Sequence, residues 1–190
     1  MENKKIKLKQ STKQEFSSGC VVYKREKSEN SSAKDAKIKF LLGKHSGYHK
    51  WVLPKGLIEK GEKERETAVR ETEEELSVKV KIIGDKPIFT EKYIYTADFK
   101  QNQHPNNGYN KKPIRRVAQY QEAGGGQIKV FKTVIFYLAE YVSGDPKNHG
   151  WEMSEANWFT LNEALKIMSF KGEKEALIKA EKILLSKLRL

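Results

Sequence analysis

The sequence predicts an α/β fold in which a β-sheet is sandwiched between helices. Apolar and β-branched runs typical of strands come before and after one strongly helical segment, and a second helical segment follows near the end of the chain. The 190 residues, 37% of them hydrophobic, suit one domain over 1–190 with a single core. No apolar stretch approaches the length that spans a membrane, so we expect no membrane partner.

The first half of the chain is predicted to form strands followed by a helix. Residues 18–24 and 37–42 read as two strands, and the polar stretch between them has the composition of a loop, which predicts a hairpin. A short apolar run at 51–53 ends at Pro54. Residues 62–76 contain good helix formers and no Pro or Gly, and they form the predicted first helix.

The second half is predicted to complete the sheet and to cover it with two helices. Further strands are predicted at 78–83, 88–99 and 128–142 and in the residues that end at Phe159. Thr160 stands three residues before Glu163, which is a capping-box pattern for a short helix through Met168. A final helix over 172–188 places Leu177, Ala180, Leu184 and Leu188 on one apolar stripe that can pack on the sheet.

The distribution of charge separates one acidic segment from a basic chain. The formal net charge is +12, and much of the excess lies in the basic N-terminal segment 1–15 and in 101–126, which is also rich in Gly, Asn and Gln and is predicted to be an insertion. Such a charge is typical of proteins that bind nucleic acid or phosphate-rich substrates. Residues 56–78 contain eight Glu against four Lys and Arg, an acidic island that needs a physical reason.

Three glutamates of the predicted first helix share one face, because Glu71, Glu74 and Glu75 stand at i, i+3 and i+4. The alternative is a solvated face with ion pairs, but three neighbouring carboxylates repel one another unless a cation lies between them. Carboxylate oxygens suit Mg²⁺, with Mn²⁺ as the alternative, and substrate phosphates can complete the coordination. Gly56 lacks a Cβ and would let a backbone carbonyl approach the same ion. Arg70 is expected to pair with Glu62, Glu66 or another carboxylate and to fix the loop to the helix, with direct contact to a phosphate as the alternative.

Residues 56–78, GLIEKGEKERETAVRETEEELSV, resemble the Nudix box, G-x5-E-x7-R-E-U-x-E-E-x-G-U, in which U is a bulky apolar residue. The positions in register are Gly56, Glu62, Arg70, Glu71, Glu74, Glu75 and Val78. Thr72 and Ser77 depart from the pattern, and Ser77 must form the turn after the helix, which is strained if its φ is positive. The resemblance implies a Nudix-type α-β-α sandwich with a mixed central β-sheet. It also implies hydrolysis of a nucleoside diphosphate linked to a further group.

Weaker similarity at 51–62, 132–141 and 152–170 points to the diadenosine polyphosphate hydrolase branch of that family and its bacterial relatives. We assign Glu74 and Glu75 as the principal metal ligands and Glu71 as a ligand or general base, and the resemblance implies that these roles shift among members. Arg70 belongs to the same catalytic group. Downstream, Glu152 and Glu155 are the candidates for a second base.

Substrate contacts are predicted outside the acidic helix. Lys50, Lys55 and Lys132 are candidate phosphate ligands, for which the alternative is a solvated lysine. Tyr120, in the insertion, is the candidate for stacking on a nucleobase. The single cysteine, Cys20, cannot form an internal disulfide, and the first residues lack the apolar core of a secretory signal, so we expect a cytoplasmic location.

Three functions are compatible with these patterns. The first is Mg²⁺-dependent hydrolysis of a small-molecule substrate, either a dinucleoside polyphosphate or a related nucleotide. The second is pyrophosphohydrolysis at RNA 5′ ends, which the basic segments favour. The third is a nonenzymatic nucleotide-binding module, which would have little reason to keep three mutually repelling carboxylates. The patterns leave open the leaving group, the number of metal ions and the oligomeric state.

Overall fold

The structure is a computed structural model that describes residues 12–26, 37–98 and 127–186. The basic N-terminal segment is therefore described only from Thr12 on. The insertion predicted at 101–126, with the candidate Tyr120, lies outside the described residues, as does the end of the last predicted helix.

The described residues form strands and helices in the predicted order. The strands are β1 (Thr12–Glu26), β2 (Lys37–His45), β3 (Trp51–Val52), β4 (Lys55–Leu57), β5 (Val78–Ile82), β6 (Phe89–Asp98), β7 (Gln127–Gly144) and β8 (Met153–Phe159). The helices are α1 (Glu64–Leu76), α2 (Leu161–Ile167) and α3 (Lys171–Ser186), with a 3₁₀ turn at Pro146–Asn148. Within the described ranges, no helix is both long and apolar enough to cross a membrane.

The strands of the described part form one eight-stranded sheet, in the order β3-β2-β1-β7-β5. Three strands pair beside this path, β4 with β1, β6 with β7, and β8 with β2. The sheet is mixed and the helices pack around it, so the predicted α/β sandwich is confirmed.

The chain divides into two compact units. One unit consists of 1–15 with 92–132, and the other of 16–91 with 133–190. The second unit contains the acidic helix α1 together with the candidates Gly56, Glu152 and Glu155. A single domain over 1–190 stays a prediction.

The core of the second unit lies on both faces of the sheet, because successive side chains of a strand point to opposite sides. Val21 and Phe136 pack on one side with Leu177 of α3. Val22 packs on the other side with Leu76 of α1. The predicted apolar stripe of the last helix is confirmed for Leu177, Ala180 and Leu184, which are fully buried, whereas Leu188 lies outside the described residues.

The segment around Gly56 differs from its prediction. The sequence predicts a turn from strand to loop at this glycine, but Gly56 lies within β4 and pairs with Ser18 of β1. Because β4 has only three residues between Pro54 and a loop, its sequence is too short to show a strand periodicity. It forms as a strand because it pairs with the distant strand β1. Helix α1 consequently begins at Glu64, two residues later than predicted.

The end of α1 confirms the strain expected at Ser77. This residue has a φ of 53° in the left-handed region, and its backbone N–H donates to the carbonyl of Glu73. Its hydroxyl donates to the carbonyl of Asn148 at 2.6 Å. A side-chain hydrogen bond thus holds a conformation that glycine would adopt at lower cost.

Candidate active site

Arg70 joins the loop before α1 to the helix. Its Nε donates to Glu62 Oε1 at 2.7 Å and its Nη2 donates to Glu62 Oε2 at 2.9 Å, which is the bidentate geometry that guanidinium and carboxylate groups favour. The Thr67 hydroxyl also donates to Glu62, at 2.6 Å. Hydrogen bonding, first from Arg70 and then from Thr67, lowers the pKa of Glu62 to about 2 despite partial desolvation. The predicted pairing of Arg70 with Glu62 is confirmed.

The same guanidinium reaches the predicted metal-binding face. Its Nη1 donates to Glu71 Oε1 at 2.9 Å and to Glu74 Oε2 at 3.1 Å. Neighbouring residues on a helix point in different directions, but the arginine side chain is long enough to bend over Glu71. Arg70 therefore orients these carboxylates and partly neutralises their charge.

Glu71 is only 8% exposed, and Gly56 makes the room for it. A Cβ at residue 56 would collide with the carboxyl group of Glu71. The sequence predicts that Gly56 lets a backbone carbonyl approach a metal. The structure shows a separate steric reason for glycine, which is the space that the Glu71 carboxyl group occupies. The role of Gly56 in metal binding stays a prediction.

Glu75 is also buried, at 7% exposure, and its Oε2 accepts the backbone N–H of Lys55 at 3.0 Å. Burial raises the pKa of Glu75 to about 8, and the charges of Glu71 and Glu152 act in the same direction against Lys55. Glu74 differs, because 59% of its side chain is exposed. The predicted metal-binding face of the helix therefore holds two buried carboxylates and one that is largely open to solvent.

The donor set fits a hard divalent cation chemically. Among the described residues, no three His, Cys, Asp or Glu side chains converge closely enough to hold a metal as they stand. Arg70 contacts two of the three glutamates, and Glu74 must rotate to join the buried pair. The charge of Glu71 raises the pKa of Glu75, and Mg²⁺ or Mn²⁺ would stabilise neighbouring carboxylate oxygens of this kind. Ligation by Glu71, Glu74 and Glu75 stays a prediction.

The structure separates the two candidates for a downstream base. Gly150, two residues before Glu152, donates its backbone N–H to the carbonyl of Glu75 at 3.0 Å, and the charge of Glu152 acts on both Glu75 and His45. Glu155 instead accepts a hydrogen bond from Lys44 at 2.6 Å in an exposed pair on β2 and β8. Glu152 is therefore the better placed of the two.

The three candidate lysines occupy different environments. The Lys55 ammonium contacts Glu173 Oε1 at 3.0 Å and is mostly buried, while Lys50 is exposed on the loop before β3. Lys132 lies in the other compact unit, where its ammonium contacts Glu15 Oε2 at 3.2 Å. Phosphate binding by these lysines stays a prediction.

Glu173 and a small group of aromatic rings near Lys55 were not predicted from the sequence. The ring of His45 stacks on that of Tyr48 with centroids 3.9 Å apart, and Tyr48 contacts Phe170 edge to face at 6.0 Å. Tyr48 and Phe170 are 44% and 43% exposed. His45 ends β2 and Tyr48 follows three residues later, whereas Phe170 lies more than a hundred positions further on, between α2 and α3. No local pattern could have joined Phe170 to the other two rings.

Comparison with known proteins identifies the family of this chain. A family model described as the NUDIX domain matches residues 19–180. The rat bis(5′-nucleosyl)-tetraphosphatase (asymmetrical) is 30% identical over 151 residues, which cover 78% of this chain and 82% of the rat protein. The mouse protein of the same name is 28% identical over 173 residues, which cover 88% of this chain and 94% of the mouse protein.

A solved structure shows the same similarity. The crystal structure of a binary complex of a C. elegans Ap4A hydrolase has a TM-score of 0.58 and 25% sequence identity to this chain. The match covers 90% of this chain and 98% of the nematode chain. The resemblance predicted from residues 56–78 is therefore confirmed over most of the chain.

Proposed function

Because the chain belongs to the Nudix hydrolase family and is an enzyme that acts on acid anhydrides, we propose that it hydrolyses a dinucleoside polyphosphate or a related nucleotide with Mg²⁺ as cofactor. The observation that carries the proposal is the buried pair Glu71 and Glu75, oriented by Arg70 on one side and by the Lys55 backbone on the other. Nudix hydrolases generally use divalent metal ions. The rat and mouse relatives are tetraphosphatases, which supports a substrate with a long phosphate chain.

A phosphoanhydride resists hydrolysis because its oxygens repel an incoming hydroxide. A divalent cation, when bound, neutralises this charge and lowers the pKa of a water molecule. Glu71, Glu74 and Glu75 supply the oxygen ligands for it, and Arg70 holds Glu71 in place through its Nη1. Mn²⁺ is the alternative ion because it prefers the same ligands.

We assign the general base to Glu152, with Glu71 as the alternative. The base carboxylate accepts a proton from water while the water oxygen forms a bond to phosphorus. The bond from that phosphorus to the bridging oxygen breaks at the same time, and the leaving phosphate keeps the electron pair. The backbone contact of Gly150, two residues before Glu152, with the Glu75 carbonyl supports this assignment.

Substrate recognition is assigned to two features of the second unit. Tyr48 and Phe170 present exposed rings on which a nucleobase can stack. Lys50 is exposed two residues after Tyr48, in the same loop, and is available to a phosphate. Lys132 lies in the other unit and Tyr120 lies outside the described residues, so their roles stay predictions.

Hydrolysis in ¹⁸O-labelled water tests the proposal. With Mg²⁺ and diadenosine tetraphosphate, mass spectrometry should find unequal products, one of which carries a single ¹⁸O that identifies the phosphorus attacked. Sugar nucleotides, inositol pyrophosphates and 5′-triphosphate RNA form the comparison panel. Efficient turnover of the RNA alone would overturn the proposal in favour of an RNA 5′-end pyrophosphohydrolase.

The RNA alternative rests on the basic segments, which lie largely outside the described residues. Its binding should weaken steeply as salt rises, whereas a small nucleotide depends less on those segments. A nonenzymatic module is disfavoured because every charged residue of the box is present. The cytoplasm remains the proposed compartment, on the basis of the single cysteine.

A further inference from the structure

Glu173 lies in the first turn of α3 and is more deeply buried than Glu71 or Glu75. Glu173 is only 2% exposed, and both oxygens of its carboxylate have a polar partner. Oε1 contacts the Lys55 ammonium at 3.0 Å, and Oε2 accepts the backbone N–H of Leu53 at 2.9 Å. Burying a carboxylate costs desolvation free energy. Its presence here therefore indicates that the charge of Glu173 has a role in the fold.

Lys55 stands between two buried carboxylates. Its ammonium contacts Glu173, while its backbone N–H donates to Glu75 Oε2 at 3.0 Å. Burial by itself lowers the pKa of Lys55, but the charges of Glu173, Tyr48 and Glu75 outweigh it and raise the pKa, so the ammonium stays charged. Glu173 thus holds the ammonium of the same residue whose backbone holds Glu75.

We infer that Glu173 is a positioning residue that keeps the Lys55 ammonium away from Glu75, and so leaves the Glu75 carboxylate open to the divalent cation. The inference rests on the proposed role of Glu75 as a metal ligand. Without Glu173, the Lys55 ammonium keeps only its hydrogen bond to the Leu53 carbonyl, at 3.3 Å, among the contacts of the described residues, and Glu75 is the carboxylate attached to the same residue through its backbone. Glu91 is the other carboxylate in range, but it packs against Gly172 and accepts that residue's backbone N–H.

Binding of Mn²⁺ without nucleotide, followed by the electron paramagnetic resonance of the free ion, tests the inference apart from activity. Glu173→Gln should weaken Mn²⁺ binding by about 10- to 100-fold, the range measured when groups that orient metal ligands are removed. Glu175→Gln is the matched control, because it removes the same charge from the same helix but pairs only loosely with Lys171, at 3.9 Å. Equal Mn²⁺ affinity in the two variants would overturn the inference.

A second substitution separates competition by the ammonium from simple loss of structure. Adding Lys55→Met to Glu173→Gln removes the competing charge, so Mn²⁺ affinity should return to within about threefold of the wild type, since no unpaired buried charge is left. A folded double variant that binds Mn²⁺ no better than Glu173→Gln would contradict the inference. If Glu173→Gln does not fold, Glu173→Asp replaces it, with a smaller loss and the same recovery expected.

Turnover at increasing Mn²⁺ gives an independent result. If the ammonium competes with the cation, a high concentration of Mn²⁺ should restore the kcat of Glu173→Gln by mass action, whereas a damaged fold would not recover. No recovery in a folded variant counts against the inference. A wild-type protein that hydrolyses no nucleotide would instead refute the proposed function, so the two failures are distinguishable.

Discussion

Replacing Gly56 by alanine is expected to reduce activity far more than stability. The new Cβ would collide with the Glu71 carboxyl group, which is 8% exposed and held by Arg70 at 2.9 Å. Because an ordinary contact at a Cβ needs 3.4–4 Å, the carboxylate must move. Because the closely packed interior leaves no other room, we expect the Glu71 carboxylate to move by more than about 1 Å to restore an ordinary contact distance.

The two effects can be given separate magnitudes. Overpacking of this kind costs about 1–3 kcal/mol of unfolding free energy. For a chain of this size, each kcal/mol lowers the melting temperature by about 2–4 °C. Misplacing a catalytic group by about 1 Å costs on the order of 100-fold in rate, so kcat should fall by about that factor.

Gly61→Ala is the control for this experiment. Gly61 has a φ of +88° and no atom within 4 Å of the added Cβ, so alanine strains the backbone without touching Glu71. It should cost about 1 kcal/mol or more of stability while activity is retained. Thermal unfolding and Mg²⁺-dependent turnover are measured on both variants. Wild-type kcat in a folded Gly56→Ala protein would refute the role assigned to Glu71.

Three further predictions use other parts of the site and core. Glu152→Gln should lower kcat by about 100-fold or more, and Glu155→Gln should not, because Glu152 follows Gly150, whose backbone contacts Glu75, whereas Glu155 pairs with Lys44 at the surface; steady-state kinetics would contradict this if the two variants behaved alike. The depressed pKa of Glu62, about 2, contributes stability that is present above pH 4.5 and is lost as pH falls toward 2. Melting temperatures of Glu62→Gln should therefore depend less on pH over that range than those of the wild type, and parallel curves would argue against it. The buried Cys20 thiol, whose pKa burial raises to about 12, should react with a disulfide reagent only after unfolding, and rapid labelling of the native protein would show that it is accessible.

The acidic helix could be predicted from the sequence because its evidence is local. Glu71, Glu74 and Glu75 owe their common face to spacing alone, and α1 follows from a run of good helix formers. The strain at Ser77 can also be predicted from the sequence, because a residue with a Cβ replaces a glycine at a helix end. The burial of each glutamate cannot be predicted from the sequence, because the exposed Glu74 and the buried Glu75 are the same residue type at adjacent positions.

The features that the sequence did not predict arise from long-range packing. Strand β4 exists because Gly56 and its neighbours pair with β1, and three residues show no period. From the sequence, Glu173 is an ordinary acidic residue in the first turn of a helix, where the helix dipole stabilises a carboxylate. Its contact with Lys55 joins residues more than a hundred positions apart, and no spacing rule connects them.

Calorimetric titration of Mg²⁺ into the protein, saturated with a nonhydrolysable analogue of diadenosine tetraphosphate, tests the central claim most directly. The wild type should bind Mg²⁺, and Glu75→Gln, with its fold verified by circular dichroism, should lose at least about tenfold in affinity because a buried carboxylate ligand becomes neutral. Equal heats and affinities for the two proteins would contradict the assignment of this helix face to a divalent cation.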